Sequence, residues 1–244
     1  MNLIVDIGNS RAKVVVIANG RICEEHTTEC IEPQWITSII ERHPDISRAI
    51  VSSTRGNGAE ICQMLSDRLD LVIDFCPATT PTPLRNDYLT PNTLGADRLA
   101  AAVGANRLFP EQDIMIVDFG TAITIDYVID GAFKGGNIAP GMTTRFRALA
   151  DYTARLPLCS ATDVVLEYGR TTTEAIEQGV MQGITHEIEG YIEAFSKKKR
   201  EKCIIFTGGD AKYFVKRIKN TIFADCEPVI FGLSTILDYN AEKR

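Results

Sequence analysis

No run of apolar residues in this chain approaches the roughly 20 that a membrane-spanning helix requires. The first residues enter a strand pattern with an acid at position 6, which is not the pattern of a signal peptide. Both absences predict a cytoplasmic protein with no membrane partner. Histidine is scarce: His26, His43 and His186 are scattered, which argues against a His-based metal site or a Ser-His-Asp triad. Cysteine is present seven times (23, 30, 62, 76, 159, 203 and 226), but the number is odd and no CxxC occurs. That pattern favours buried reduced thiols over a disulfide or zinc framework. No GxxxxGK[ST] occurs, so a P-loop is excluded. Basic surplus is also missing. There are 26 Lys and Arg against 32 Asp and Glu, a formal charge of −6. Nucleic acid and anionic membranes need a basic surface, so neither is an expected partner. An anionic metabolite can still be held by a local basic site.

The 244 residues leave room for one large domain or two small ones, and 45% apolar with 24% charged residues is ordinary for a soluble globular protein. The most informative feature is an internal echo. Residues 2–20 read NLIVDIGNSRAKVVVIANG, and residues 114–131 read IMIVDFGTAITIDYVIDG. Each has an apolar run, Asp, an apolar residue, Gly, a small polar pair, a β-rich run and a turn glycine. Asp6 matches Asp118, and Gly8 matches Gly120. Each unit predicts strand, tight turn, strand, with the first glycine taking backbone angles other residues avoid.

Helical spacing follows at 33–43 and 58–69, and short strands at 48–54 and 71–76. In the second half, 171–199 is a long helical pattern with glycine breaks, and 202–218 reads as strand, glycine turn, helix. Strands alternating with helices indicate an α/β fold. The expected organisation is two similar halves, 1–112 and 113–244, with a ligand cleft between them. The proline-rich stretch 78–93 reads as a domain linker or a binding loop.

Each motif has a bland reading beside a chemical one. In DIGNSRAK (6–13), Gly8 allows backbone to approach a phosphate, and Asn9 and Ser10 add hydrogen-bonding groups. Lys13 supplies a point charge, and Asp6 can hold Mg²⁺ directly or through water. A plain hairpin turn uses the same residue types, but the repeat at DFGTA (118–122) favours a site. There Asp118 can bind a cation and Thr121 can donate to a phosphate. The stretch is not a kinase activation-segment DFG, since the glycine-rich loop and HRD segment are absent. In LGADRLAA (94–101), Asp97 either caps a helix or serves as a general base, with Arg98 holding a substrate. GGNIAPG (135–141) is read as a turn, and IIFTGGD (204–210) as a strand end where a nucleotide can rest. RGNGAEI (55–61) is read as a helix start, and SKKKREK (196–202) as the basic end of a helix.

Taken in order, DIGNSRAK, Tyr88 followed by LGADR, DFGTA, GGNIAPG, ARLP (154–157) and TGGD resemble the type III pantothenate kinases. These belong to the acetate kinase, sugar kinase, Hsp70 and actin superfamily. The resemblance runs from residue 3 to about 235. It implies a duplicated ribonuclease H-like fold and ATP-dependent phosphorylation of the 4′-hydroxyl of pantothenate, the first step toward coenzyme A. It implies that Asp6, Ile7, Gly8, Asn9, Ser10, Arg11, Ala12 and Lys13 bind the phosphates of ATP, with Mg²⁺ at Asp6. Thr121 is implied to touch ATP as well. It places pantothenate against Tyr88, Gly95, Ala96, Asp97 and Arg98, with Asp97 as the base, and against Thr172 of the GxxT segment 169–172. Asp118 is implied to bind a potassium or ammonium ion. Family members are homodimers with the substrate site at the subunit interface. Ser10 stands where threonine is frequent and keeps the hydroxyl; Leu99 stands where an aromatic is frequent. The rival readings are a kinase of the same fold acting on another small hydroxylated metabolite, a non-catalytic regulatory relative, and an Hsp70- or actin-like ATPase. The first is separated by a substrate panel. The second should have lost an acid among Asp6, Asp97 and Asp118, and all three are present. The third would need extra subdomains that 244 residues barely allow.

Overall fold

The computed structural model describes residues 1–56, 58–197, 201–218, 222–223 and 227–243. Its contacts divide the chain into two units. The first holds Met1–Pro110, Gly131–Lys134 and the C-terminal segment from Glu227; the second holds Glu111–Asp130 and the segment beginning at Gly135.

The first unit opens with β1 (Asn2–Ile7), β2 (Ala12–Ala18) and β3 (Arg21–Thr28), an antiparallel meander. Then come α1 (Pro33–Arg42), β4 (Arg48–Ser53), α2 (Gly58–Ser66) and β5 (Leu71–Asp74). β4 lies parallel to β1, and β5 parallel to β4. The sheet order is β3-β2-β1-β4-β5. Leu3, Val5 and Ile7 of β1 pack with Val14 and Val16 of β2 and with Ile36, Ile39 and Leu65 of the two helices. Alternate residues of a strand share a face, so the spacing 3-5-7 and 14-16 presents one apolar surface to α1 and α2. β6 (Arg85–Asn86) and α3 (Ala96–Leu108) complete the run to Pro110.

The second unit repeats the plan with β7 (Asp113–Phe119), β8 (Ala122–Ile129), β9 (Ala132–Pro140), α4 (Met142–Tyr152), α5 (Thr172–Ser196), β10 (Lys202–Thr207), α6 (Ala211–Phe214) and β11 (Ile222–Phe223). The sheet order is β11-β10-β7-β8-β9-β6. Strands β9-β8-β7-β10-β11 therefore repeat β3-β2-β1-β4-β5, so the internal echo is a duplicated fold. Phe119 anchors this core, stacked on Phe214 at 4.9 Å and edge-on to Phe206 at 5.1 Å. The last helix, α7 (Pro228–Ala241), belongs to the first unit and packs on α3. The two helices meet backbone to backbone: a Cβ on Gly104 would collide with the Pro228 carbonyl, and one on Gly232 with that of Ala100.

Several expectations need correction. Neither Gly8 nor Gly120 takes a positive φ; the left-handed pairs sit at the far hairpin ends, Asn19-Gly20 (φ 52 and 74) and Asp130-Gly131 (φ 54 and 64). Two successive positive φ angles are the mark of type I′ turns, whose twist suits paired strands. Residues 135–140 of GGNIAPG lie in strand β9 and form no turn, and Gly141 is the N-cap of α4. The glycines of α5 do not break it, because 25 residues run without interruption. The stretch 78–93 lies inside the first unit and contributes β6, which pairs with Ala132 and Phe133. Part of the basic run 196–202, residues 198–200, lies outside the described residues. Among the described residues, no helix is long and apolar enough to cross a membrane.

Candidate active site

Asp6 stands one residue from the end of β1, paired across the hairpin with Lys13 and in register with Ser52 on β4. Burial pushes its carboxyl up to about 6, and the negative charge of Asp97 pushes the same way. Ser52 and the Lys13 ammonium oppose the rise, while Glu227 adds to it. Asp6 Oδ1 and Ser52 Oγ are both buried and close no hydrogen bond of ordinary geometry, although Ser52 is near enough to steady the Asp6 charge. An unpaired buried oxygen is costly, and here it is a carboxylate oxygen at the mouth of a hairpin.

The turn is closed by Gly8, whose N–H donates to the Arg11 carbonyl at 3.0 Å. Ile7 and Ala12 are buried, so only their backbone is available to a ligand; Asn9, Ser10 and Arg11 are exposed. Two residues outside the motif brace it. Thr54 donates to the Ile7 carbonyl through its N–H at 2.9 Å, and Arg55 donates from Nε to the Asn9 carbonyl at 3.0 Å. Arg55 was legible only as the start of a helix. Lys13 does not point free into the turn. Its ammonium is ion-paired with Glu227, and Glu25 lies 3.8 Å away.

Asp97 occupies the first turn of α3, behind the N-cap Gly95. Its Oδ1 accepts the Arg98 N–H at 2.9 Å, so the carboxylate engages a helix N-terminal donor, and its charge reaches Asp6 as well. A side chain on Gly95 would bring a Cβ within 2.6 Å of Asp97 Oδ1, which explains the glycine. Ala96 is buried, and so is Arg98, at 7% exposure. The Arg98 guanidinium lies 5.7 Å from the centre of the Tyr88 ring, within cation–π range. Tyr88 leans on Phe133 at 6.1 Å and donates its N–H to Asn86 Oδ1 at 3.0 Å. The first unit thus brings Asp6, Lys13 and Asp97 into one electrostatic neighbourhood, and joins Tyr88 to Arg98.

In the second unit the Asp118 turn stands at the same place in the hairpin but is one residue shorter between paired strand positions. Gly120 donates to the Ala122 carbonyl at 3.1 Å, two residues on, whereas Gly8 donates to Arg11, three residues on. Asp118 pairs with Thr124 on β8 and Thr207 on β10. Gly208, at φ +92, is where TGGD passes this turn, and a Cβ there would strike Asp118 Oδ1. The Thr121 carbonyl accepts the Gly141 N–H at 3.0 Å and the Thr144 hydroxyl at 2.7 Å. The close approach allowed by Gly136 and Gly141 is to the chain's own backbone, at Ile125 and Gly120. Burial raises the Asp210 carboxyl above its usual range. Thr172 is exposed and opens α5; its neighbour Thr171 forms a capping box with Glu174. Glu227, Glu25 and Ser52 went unread in the sequence. Glu227 is 214 residues from Lys13, and nothing local signals the pair.

Metal fit rests on oxygen chemistry. Mg²⁺ takes few protein carboxylates and fills its shell with water and phosphate oxygens. Asp6, with its unpaired Oδ1, suits that role. Among the described residues no group of three or more His, Cys, Asp or Glu is placed to hold a metal by itself, so phosphates would have to complete the shell. At Asp118 the backbone of Gly208 packs directly against Oδ1 and the Phe119 carbonyl, so a carboxylate oxygen and a carbonyl oxygen, the donor types a hard cation takes, lie at the same turn.

The family model described as type III pantothenate kinase matches residues 2–194. The chain belongs to this family. A type III pantothenate kinase from Phocaeicola vulgatus is 42% identical over 246 aligned residues, covering 98% of this chain and 99% of that protein. Among solved structures, a Campylobacter jejuni protein assigned to the Baf family of transcriptional activators superposes with a TM-score of 0.63 at 22% identity, covering 98% of this chain and 99% of that one. An inorganic polyphosphate/ATP-glucomannokinase from Arthrobacter sp. strain KM superposes with a TM-score of 0.53 at 12% identity, covering 98% and 100%. At such identities these likenesses speak for the fold alone, the duplicated α/β fold of the actin-like kinases.

Proposed function

We propose that the residues around Asp6 and Asp97 carry the activity of the family: the chain is a kinase that transfers the γ-phosphoryl group of ATP to pantothenate, in coenzyme A synthesis. The observation behind the residue assignment is the pairing of a buried, unpartnered Asp6 oxygen with the charge of Asp97, at the end of a strand whose turn is open to a ligand. In this reading the turn from Asp6 to Lys13 holds the phosphate chain, using the backbone of Ile7, Gly8 and Ala12 and the side chains of Asn9, Ser10 and Arg11. Thr121 adds a contact to ATP. Asp6, together with phosphate oxygens, would hold Mg²⁺, which would supply charge neutralisation. Asp118 would hold the monovalent cation.

Pantothenate lies against Tyr88, Gly95, Ala96, Arg98 and Thr172. The Tyr88 ring and the buried Arg98 guanidinium form one surface, suited to the carboxylate of an acidic substrate. Asp97 accepts the proton of the 4′-hydroxyl as its oxygen bonds to the γ-phosphorus and the bond to the ADP oxygen breaks. A carboxylate is far too weak a base to ionise an alcohol beforehand. Asp97 therefore acts mainly by orienting the hydroxyl, taking the proton only as the transition state forms, and the rest of the rate comes from alignment and charge. The homodimer and a cytoplasmic location are part of the same reading.

ADP release from Mg-ATP, followed with and without pantothenate in KCl and in NaCl, tests it. Release that requires pantothenate supports the acceptor, and a further requirement for potassium supports the cation at Asp118. Release indifferent to pantothenate in both salts would move the reading to another small hydroxylated acceptor.

A further inference from the structure

Lys13 is read above as a phosphate ligand, yet its ammonium is already engaged. The Glu227 carboxylate, just before the first turn of α7, is ion-paired with Lys13 Nζ, and Glu25 on β3 lies 3.8 Å from the same nitrogen. All three side chains are partly exposed, at 30% for Lys13, 37% for Glu25 and 39% for Glu227. Two carboxylates thus share one ammonium, and Asp6 stands across the hairpin. A phosphate coming within reach of Nζ meets one positive charge and at least two negative ones, so it gains little while that ion pair is closed. Lysine has a flexible stem and three rotatable donors, which lets the ammonium turn from one anion to another. Helix α7 does not need the Glu227 side chain as a cap, because that side chain accepts no N–H from the first turn.

We propose that Glu227 competes with the nucleotide for Lys13: the ion pair is closed in the ligand-free chain, and the phosphate chain must take Lys13 away from it. Glu227 is then a residue that sets nucleotide affinity from the far end of the sequence, through Lys13 and not by touching the reacting atoms. This rests on the reading that the turn at 6–13 binds ATP phosphates.

The test is calorimetric titration of the full chain with a non-hydrolysable ATP analogue and Mg²⁺, without pantothenate. Glu227→Gln should tighten Kd by about 2- to 5-fold, the size of one partly exposed ion pair. Glu25→Gln should act in the same direction but less, because its oxygen is farther from Nζ. In a Lys13→Met background the effect of Glu227→Gln should vanish. A tightening that persists there would make Glu227 a general field effect and overturn the competition. Unchanged or weaker binding by a Glu227→Gln chain of wild-type Tm would overturn it too. Glu227→Ser, which supplies a favoured helix cap without the charge, gives the same reading if the glutamine variant folds poorly. A wild-type chain that does not bind the analogue would sink the phosphate-turn reading together with this one, whereas binding indifferent to Glu227 would sink this one alone.

Discussion

At the scale of single residues, the chain spends stability at Asp6. Its carboxyl titrates near 6 in the folded chain, against 3.8 for an ordinary aspartate. The sign follows from the raised value: the folded state binds this proton more tightly than the unfolded state. Its contribution is full below about 3.8 and is lost as pH rises through about 6. Asp6→Asn should therefore raise the stability of the metal-free chain at pH 7 by on the order of 1–3 kcal/mol, with little difference near pH 3.5. Thermal melts in EDTA across that range check it. The same variant should use Mg-ATP poorly, and unchanged Mg²⁺ dependence would count against metal coordination there. Asp97 is different in kind. Asp97→Asn keeps the acceptor for the Arg98 N–H, so the helix start survives. It should lower kcat by about 10²- to 10⁴-fold with the affinity for ATP analogue retained. Steady-state kinetics beside a direct binding measurement separate the two, and activity within a few-fold of wild type would remove Asp97 from the role of base.

At the scale of elements, the edge strand β3 is held by charge. Its apolar content is low, and most of its residues are exposed or half-buried. Glu24 on β3 accepts from His26 on the same strand and from His43 and Arg42 at the end of α1, each at 2.5 Å. Those hydrogen bonds hold the Glu24 carboxyl down at about 2. A lowered carboxylate contributes stability above its unfolded value of 4.5 and loses it as pH falls through about 2. The cluster is near the surface, so Glu24→Gln should cost about 1 kcal/mol or less at neutral pH. That loss should shrink in high salt, and melts at two ionic strengths would show it. Edge strands commonly carry charge in this way, since an apolar edge invites pairing with other chains. Low hydrophobicity is also why 21–28 was not read as a strand, while β1, β2, β7 and β8, with their apolar runs, were legible. The two Asp-x-Gly turns were legible for the same reason: a buried strand ending in Asp-x-Gly stands out twice. The functions of Arg55, Glu25 and Ser52 were not, because each depends on which strand or loop lies beside which.

At the scale of the whole chain, α7 is sequence-distant from everything it packs against. Ile230, Leu233, Ile236 and Leu237 are buried, and α7 packs on α3, β1 and β4 of the first unit. Deleting residues 228–243 should expose the face of α3 around Gly104 and the part of the sheet formed by β1 and β4. Amide hydrogen exchange should then lose protection over 2–7 and 48–53 well before it changes over 113–119. Equal loss in both segments would mean that the helix stabilises more than the first unit. Family, fold and the two Asp-x-Gly turns were determined by the sequence itself, because a strand and its turn are written in neighbouring residues. Duplication made them easier to see by writing them twice. What only the tertiary structure decided is which charges meet. Asp6 and Asp97 are separated by most of the first unit, and Lys13 and Glu227 by nearly the whole chain. Long-range pairs of this kind leave no periodic trace in either local sequence, since a surface acid or base looks the same before folding whether it will face water or a partner.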